Sequence, residues 1–252
     1  MPVDASGELT VRQGTFSGRD KFRFLCHEGL ECFGKCCRDI NIFLTPYDVL
    51  RIKNILNMPS WEFLDRYTVL LTAGHSGFPV VVVKMREDAN LVCPFVTPGG
   101  CSIYGHRPWS CRMAPLDIRG EDAFRIAFDP SFCHGLMEDR EWDALEWMQD
   151  QGLENYDPVE EQFGRIPLAI KMSGKKEKDR QVVDVFYNTC YNIDLFREFV
   201  SRKSFHYVFN VPRESIEKAL GDEVELLKFG IDWLLSGIDF KKAGKIMEKI
   251  KH

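Results

Sequence analysis

The chain has 252 residues, of which 44% are hydrophobic and 28% charged, and a formal net charge of −5. That is enough apolar material for a packed core without disulfide staples, and the acidic balance argues against a nucleic-acid partner. No apolar run approaches the roughly 18 residues of a membrane span, and MPVDASGELT has neither the basic start nor the apolar run of a signal peptide, so the chain reads as cytoplasmic with no membrane partner.

In chain order, residues 1–20 are polar and read as a mobile arm. Phe22 and Phe24 alternate with basic residues, which predicts a short strand leading to Cys26; Ile40, Ile42 and Leu44 predict a second. Thr45-Pro46-Tyr47-Asp48 is a helix start, with Thr45 as cap and Pro46 at the first helical position, and Val49, Ile52 and Leu56 give that helix an apolar stripe. Ser60 is expected to cap a further helix through Phe63, Leu64 and Tyr67. The β-branched run from Pro79 to Met85 predicts a buried strand. Residues 91–104 read as a hairpin turning at Pro98-Gly99-Gly100 with a cysteine on each arm, and Arg107-Pro108 opens a short helix carrying Cys111. Phe124–Phe128 predicts another strand.

After about residue 138 the periodicity becomes helical. Helices are expected over 141–151, with Trp142, Leu145 and Met148 as its core stripe, and over 158–172. A charged loop, 173–178, follows. One longer helix then places Val185, Ile193, Phe196 and Val200 inside. Pro212 starts another and Gly221 stops it. Val224, Leu227, Ile231, Leu234 and Leu235 form one more stripe, and Asp239 caps a last helix with Phe240, Ala243, Met247 and Ile250 inside. The expected class is α+β, a small irregular sheet with helices around a cysteine site, divided as a 1–20 arm, a 21–137 cysteine-cluster domain and a 138–252 helical section packed on it.

Eight of the nine cysteines lie between Cys26 and Cys133. The first group reads Cys26-x5-Cys32-x3-Cys36-Cys37, and the second Cys93-x7-Cys101-x9-Cys111 with Cys133 beyond. In a reducing compartment, thiols this dense point to a soft metal or an iron–sulfur cluster rather than to disulfides. All eight are candidate ligands, with Cys36, Cys37, Cys101 and Cys111 foremost. Gly34 gives the first loop freedom to turn. Adjacent side chains diverge, so Cys36 and Cys37 serve either two metals or one large cluster in a bent loop. That favours a [4Fe–4S] cluster over a single zinc. Two four-thiolate zinc sites are the alternative, although the irregular gaps lack paired zinc knuckles. Lone Cys190 reads as a buried inert thiol.

His27, His106 and His134 could replace a thiolate, although imidazoles outside the ligand set are commoner. Tyr104, Arg107 and Arg112 are candidate cofactor-binding residues, because guanidinium groups offset the negative charge of a thiolate cluster; pairing with surface carboxylates is the plainer use. No nucleotide loop and no catalytic triad can be assigned.

Cys93-Pro94-Phe95, Cys101-Ser102-Ile103-Tyr104, Arg107-Pro108, Cys111-Arg112 and Pro115, preceded by the Cys26–Cys37 cluster and Leu44-Thr45-Pro46-Tyr47-Asp48, resemble the YkgJ-type cysteine-cluster family. The resemblance spans residues 22–135 and implies a zinc- or iron-chelating domain. The first motif departs from the family's Cys-x2-Cys-x2-Cys-Cys by its wider gaps. A related branch, the flagellin lysine methylases, implies a further alternative: an iron–sulfur protein methyltransferase dependent on S-adenosylmethionine, with a protein substrate. A zinc-folded domain whose helical section binds a protein partner is the non-catalytic alternative.

Overall fold

The structure, a computed structural model, describes residues 14–74, 77–174 and 179–250. It is α+β, with small antiparallel sheets in the N-terminal part and a mostly helical C-terminal section. The chain forms two compact units: the described residues of Met1–Ile42 with Met85–Asn155, and those of Phe43–Lys84 with Tyr156–His252. Among the described residues no helix is long and apolar enough to cross a membrane.

The first unit is built from short strand pairs. Phe22–Arg23 pairs antiparallel with Glu141–Trp142, Val96–Thr97 with Gly100–Cys101, and Leu116–Gly120 with Ala123–Ile126. Two short helices, Trp109–Met113 and Ala144–Asp150, accompany them. Its core is aromatic. The Trp147 ring meets Phe24 and Trp142 edge-on, each at 5.3 Å between centroids. A buried indole usually finds a partner for its N–H. Trp142 Nε1 donates to the Phe24 carbonyl at 2.9 Å, and Trp147 Nε1 to the Met113 carbonyl at 3.2 Å.

Several expectations change here. The arm predicted over residues 1–20 falls outside the described residues up to residue 13, but Phe16 is buried and exchanges backbone hydrogen bonds of 2.8 Å with Phe124. The helix predicted over 141–151 begins only at Ala144. Asp143 caps it through a bond from Glu146 N at 2.8 Å, while Glu141–Trp142 is drawn into the strand pair with Phe22–Arg23. Leu145, expected inside, is exposed.

The second unit carries a three-stranded antiparallel sheet in which Pro79–Val83 lies between Phe43–Leu44 and Thr68–Thr72. Val81, Val82 and Val83 are buried, as a central β-branched strand requires. The predicted strand Ile40–Leu44 shortens to Phe43–Leu44. Helix Pro46–Ile55 starts with a complete capping box: Thr45 Oγ1 accepts from Asp48 N at 3.1 Å, and Asp48 Oδ2 accepts from Thr45 N at 3.0 Å. Ser60 is not the cap of helix Ser60–Tyr67. It is the first helical residue behind Pro59, and its hydroxyl donates to Asn192 Oδ1 at 3.0 Å.

The long helix expected after residue 179 is two, Arg180–Cys190 and Ile193–Ser201. Asn192 interrupts it by offering its side chain to Leu195 N. Helices Asp157–Met172, Lys203–Phe209, Arg213–Gly221, Glu223–Leu235 and Phe240–Met247 complete the unit. Residues 175–178 of the predicted charged loop lie outside the described residues. Phe196, Phe199, Phe205 and Trp233 fill the core.

Candidate metal centre

All eight clustered cysteines belong to the first unit, and none of the chain's nine is part of a disulfide. The loop from Cys26 to Cys37 is a succession of tight turns. Leu30, Phe33, Lys35 and Cys37 each donate their backbone N–H three residues back, to His27, Leu30, Cys32 and Gly34, at 2.9–3.2 Å. Gly34 holds φ at +76°, a left-handed conformation that glycine adopts without steric cost. Coiling in this way absorbs the wide gaps between cysteines, so the sulfurs are separated by turns rather than by extended chain.

The loop is tied to its surroundings at both ends. Leu25 N donates to the Gly135 carbonyl at 3.0 Å, and His134 N donates to Cys32 Sγ at 3.3 Å, which brings the Cys133 segment to the loop's start. Cys93 N donates to the Cys37 carbonyl at 2.9 Å, which fastens the second motif to the loop's end. The hairpin closes at Pro98-Gly99 and places Cys101 opposite Val96. Cys93, expected on its first arm, lies just before that arm. Cys111 rides on the helix behind Pro108, as the sequence suggests.

Burial raises the Cys26, Cys93, Cys101 and Cys133 thiols, Cys93 and Cys133 to about 11. The vicinal pair behaves differently. Cys36 and Cys37, expected to diverge, instead stand 4.0 Å apart at Sγ, a sulfur hydrogen bond in which either thiol can donate. That bond lowers Cys36 to about 7 and raises Cys37, which burial and the sulfurs of Cys36, Cys111 and Cys93 raise further. Clustered thiols that are costly to ionise one by one suit a metal, whose own charge compensates theirs. Among the described residues, no group of three or more His, Cys, Asp and Glu side chains is gathered closely enough to hold a metal ion as the side chains stand.

Arg107 faces the cluster, favouring the ionised forms of Cys26 and Cys101. Its guanidinium lies 3.7 Å from the centroid of the Tyr104 ring and donates to Gln151 Oε1. Arg112 is a brace. It donates to the carbonyls of Arg107 at 2.9 Å, Gln151 at 2.5 Å and Gly105. His27 accepts from Gly29 N at 3.2 Å and lies 3.7 Å from Glu138, and His134 contributes its backbone N–H to Cys32. Gln151 was not foreseen. Its oxygens receive both arginines, and no spacing rule in the sequence links it to residues 107 and 112.

No curated protein and no solved structure matches the chain. Residues 25–134 match the CxxCxxCC family, described as "Putative zinc- or iron-chelating domain". Over these residues, less than half of the chain, the sequence is thus similar to the YkgJ-type cysteine-cluster domains, zinc- or iron-chelating by their description.

Proposed function

We propose that the cysteine-cluster domain holds a [4Fe–4S] cluster. The observation that carries the reading is the donor set: thiols from three stretches of chain that backbone hydrogen bonds tie together, with the neighbouring His27 imidazole accepting from Gly29 N. All-sulfur sets suit iron–sulfur clusters and zinc alike, and the irregular gaps favour the former. Cys36, Cys37, Cys101 and Cys111 lead the set, with Cys26, Cys32, Cys93 and Cys133 around them. Arg107 offsets the negative charge of the assembled thiolates, and Arg112 holds the backbone of residues 105–107 in place for it. When bound, such a cluster supplies one-electron chemistry at a potential set by its hydrogen bonds and exposure.

Purification without oxygen, followed by iron, zinc and acid-labile sulfide analysis, tests this. A brown protein with iron and sulfide in equal amounts is the expected result. Stoichiometric zinc in a colourless protein transfers the site to the zinc reading.

A further inference from the structure

The three-stranded sheet of the second unit ends on an open edge. Thr68–Thr72 pairs with Pro79–Val83, and among the described residues no strand lies on its other side. Natural sheets blunt such edges with charged residues, proline or a bulge, because a bare edge recruits further strands. Here the strand reads Thr-Val-Leu-Leu-Thr, its register with Pro79–Val83 runs unbroken from Thr68 to Thr72, and no charged residue occurs between Tyr67 and Gly74. Val69, Leu70 and Leu71 are 39%, 49% and 45% exposed, so apolar side chains meet solvent on both faces of the strand.

The backbone bonds give the edge its pattern. Ala73 N donates to Phe78 O at 2.9 Å, and Tyr67 O accepts from Lys84 N at 2.8 Å. Paired groups in an antiparallel ladder alternate along a strand. Tyr67, Val69, Leu71 and Ala73 therefore turn their backbone groups toward Pro79–Val83, and Thr68, Leu70 and Thr72 turn theirs outward. That outward set is symmetric about Leu70. The sequence nearly is too, with threonine at both ends and Val69 and Leu71 flanking the centre.

We propose that Thr68–Thr72 is a self-association edge, on which a second copy of this chain docks antiparallel about a twofold axis at Leu70. In that register Leu70 lies opposite its own copy, Val69 opposite Leu71, and Thr68 opposite Thr72. The outward groups of Thr68, Leu70 and Thr72 then exchange backbone hydrogen bonds across the axis. Val69 and Leu71 share a sheet face with Phe43, which lies across Val82 from Val69 and is itself exposed, so the apolar face continues from one copy to the other. A twofold contact needs a surface that complements itself, and the charges here allow one. Two copies of a chain with net charge −5 repel, but this edge brings no charge to the axis, and Arg66 just before it is held by Glu62 of its own helix at 2.7 Å. The five residues span about 17 Å of strand, too little for the roughly 1,200–2,000 Å² of a permanent interface, so the association is reversible and depends on concentration.

The test uses the full chain, purified without oxygen so that no intermolecular disulfide forms. Sedimentation equilibrium over a range of concentrations compares wild type, Leu70→Lys, Leu70→Glu and Leu168→Lys. The wild type should shift from monomer to dimer as concentration rises; a monomer throughout overturns the proposal. Leu70→Lys and Leu70→Glu each set like charges opposite one another and should weaken the dimer by about tenfold or more. An equimolar mixture of the two should recover it, because opposite charges then face across the axis. Leu168→Lys, at an exposed leucine of helix Asp157–Met172, should dimerise as the wild type does. Undiminished dimers of both Leu70 variants, no recovery in the mixture, or equal loss in Leu168→Lys would each overturn the assignment.

Amide hydrogen exchange on the wild type gives a check that needs no variant. Exchange at Leu70 and Thr72 should slow as concentration rises, while Val69 and Leu71, already bonded within the sheet, hardly change. A dimer that forms without slowing Leu70 and Thr72 overturns the edge as its seat. Slow exchange at both in dilute protein, unchanged by concentration, would mean that the chain covers its own edge, and overturns the proposal as well.

Discussion

Glu160 places a carboxyl within the helical unit, with Oε1 buried and without a hydrogen-bond partner among the described residues. Burial raises it from 4.5 to about 7; Thr45 opposes the shift and the Asp48 charge adds to it. The folded protein therefore holds more protons than the unfolded chain between those values. The stability tied to this group is complete below about pH 4.5 and declines as pH rises through about 7. Glu160→Gln keeps the shape without the charge, and should stabilise the helical unit by on the order of 1–3 kcal/mol at pH 8. Urea unfolding followed by helical circular dichroism should show that gain at pH 8 and its disappearance near pH 5; an equal gain at both would contradict the assignment. At this scale the sequence was most informative about sulfur. The cysteines and Arg107 declare themselves by spacing, whereas Glu160 looks like any helix-surface carboxylate until the fold buries it.

Among elements, the 133–135 segment helps to position the cysteine loop, because Gly135 O accepts from Leu25 N and His134 N donates to Cys32 Sγ. Gly135→Ala would force a Cβ against the Leu25 carbonyl. Overpacking of this kind costs about 1–3 kcal/mol. It should lower both the melting temperature and the metal retained per chain, measured by scanning calorimetry and metal analysis, and unchanged values in both would remove the segment from this role. Element starts were legible where chemistry is local, as at Thr45-Pro46 and Asp239, whose caps form as their side chains suggest. They were not legible where a distant partner decides. Trp142 has helical neighbours but pairs with Phe22, and Ser60 has a cap's side chain but spends it on Asn192. The helix expected through Val185 to Val200 breaks because Asn192 competes for the backbone, which an apolar stripe cannot reveal.

At the scale of the whole molecule, the two units interleave along the chain. Residues 43–84 fold with the helices after residue 156, held by bonds such as Lys53 to Glu223 at 2.6 Å and Tyr156 to Asp48 at 2.8 Å. Contacts across more than a hundred residues leave no local periodicity, so sequence patterns indicate the α+β class and the cysteine segment but not this weave. The convergence of Cys26–Cys37, Cys93–Cys111 and Cys133 is likewise a property of the folded unit, visible only through bonds such as Cys93 N to Cys37 O. X-ray absorption at the edge of the bound metal, on protein purified without oxygen, tests that convergence most directly. An all-sulfur shell at about 2.3 Å is the expected spectrum. A shell of nitrogen or oxygen at about 2.0–2.1 Å would contradict it.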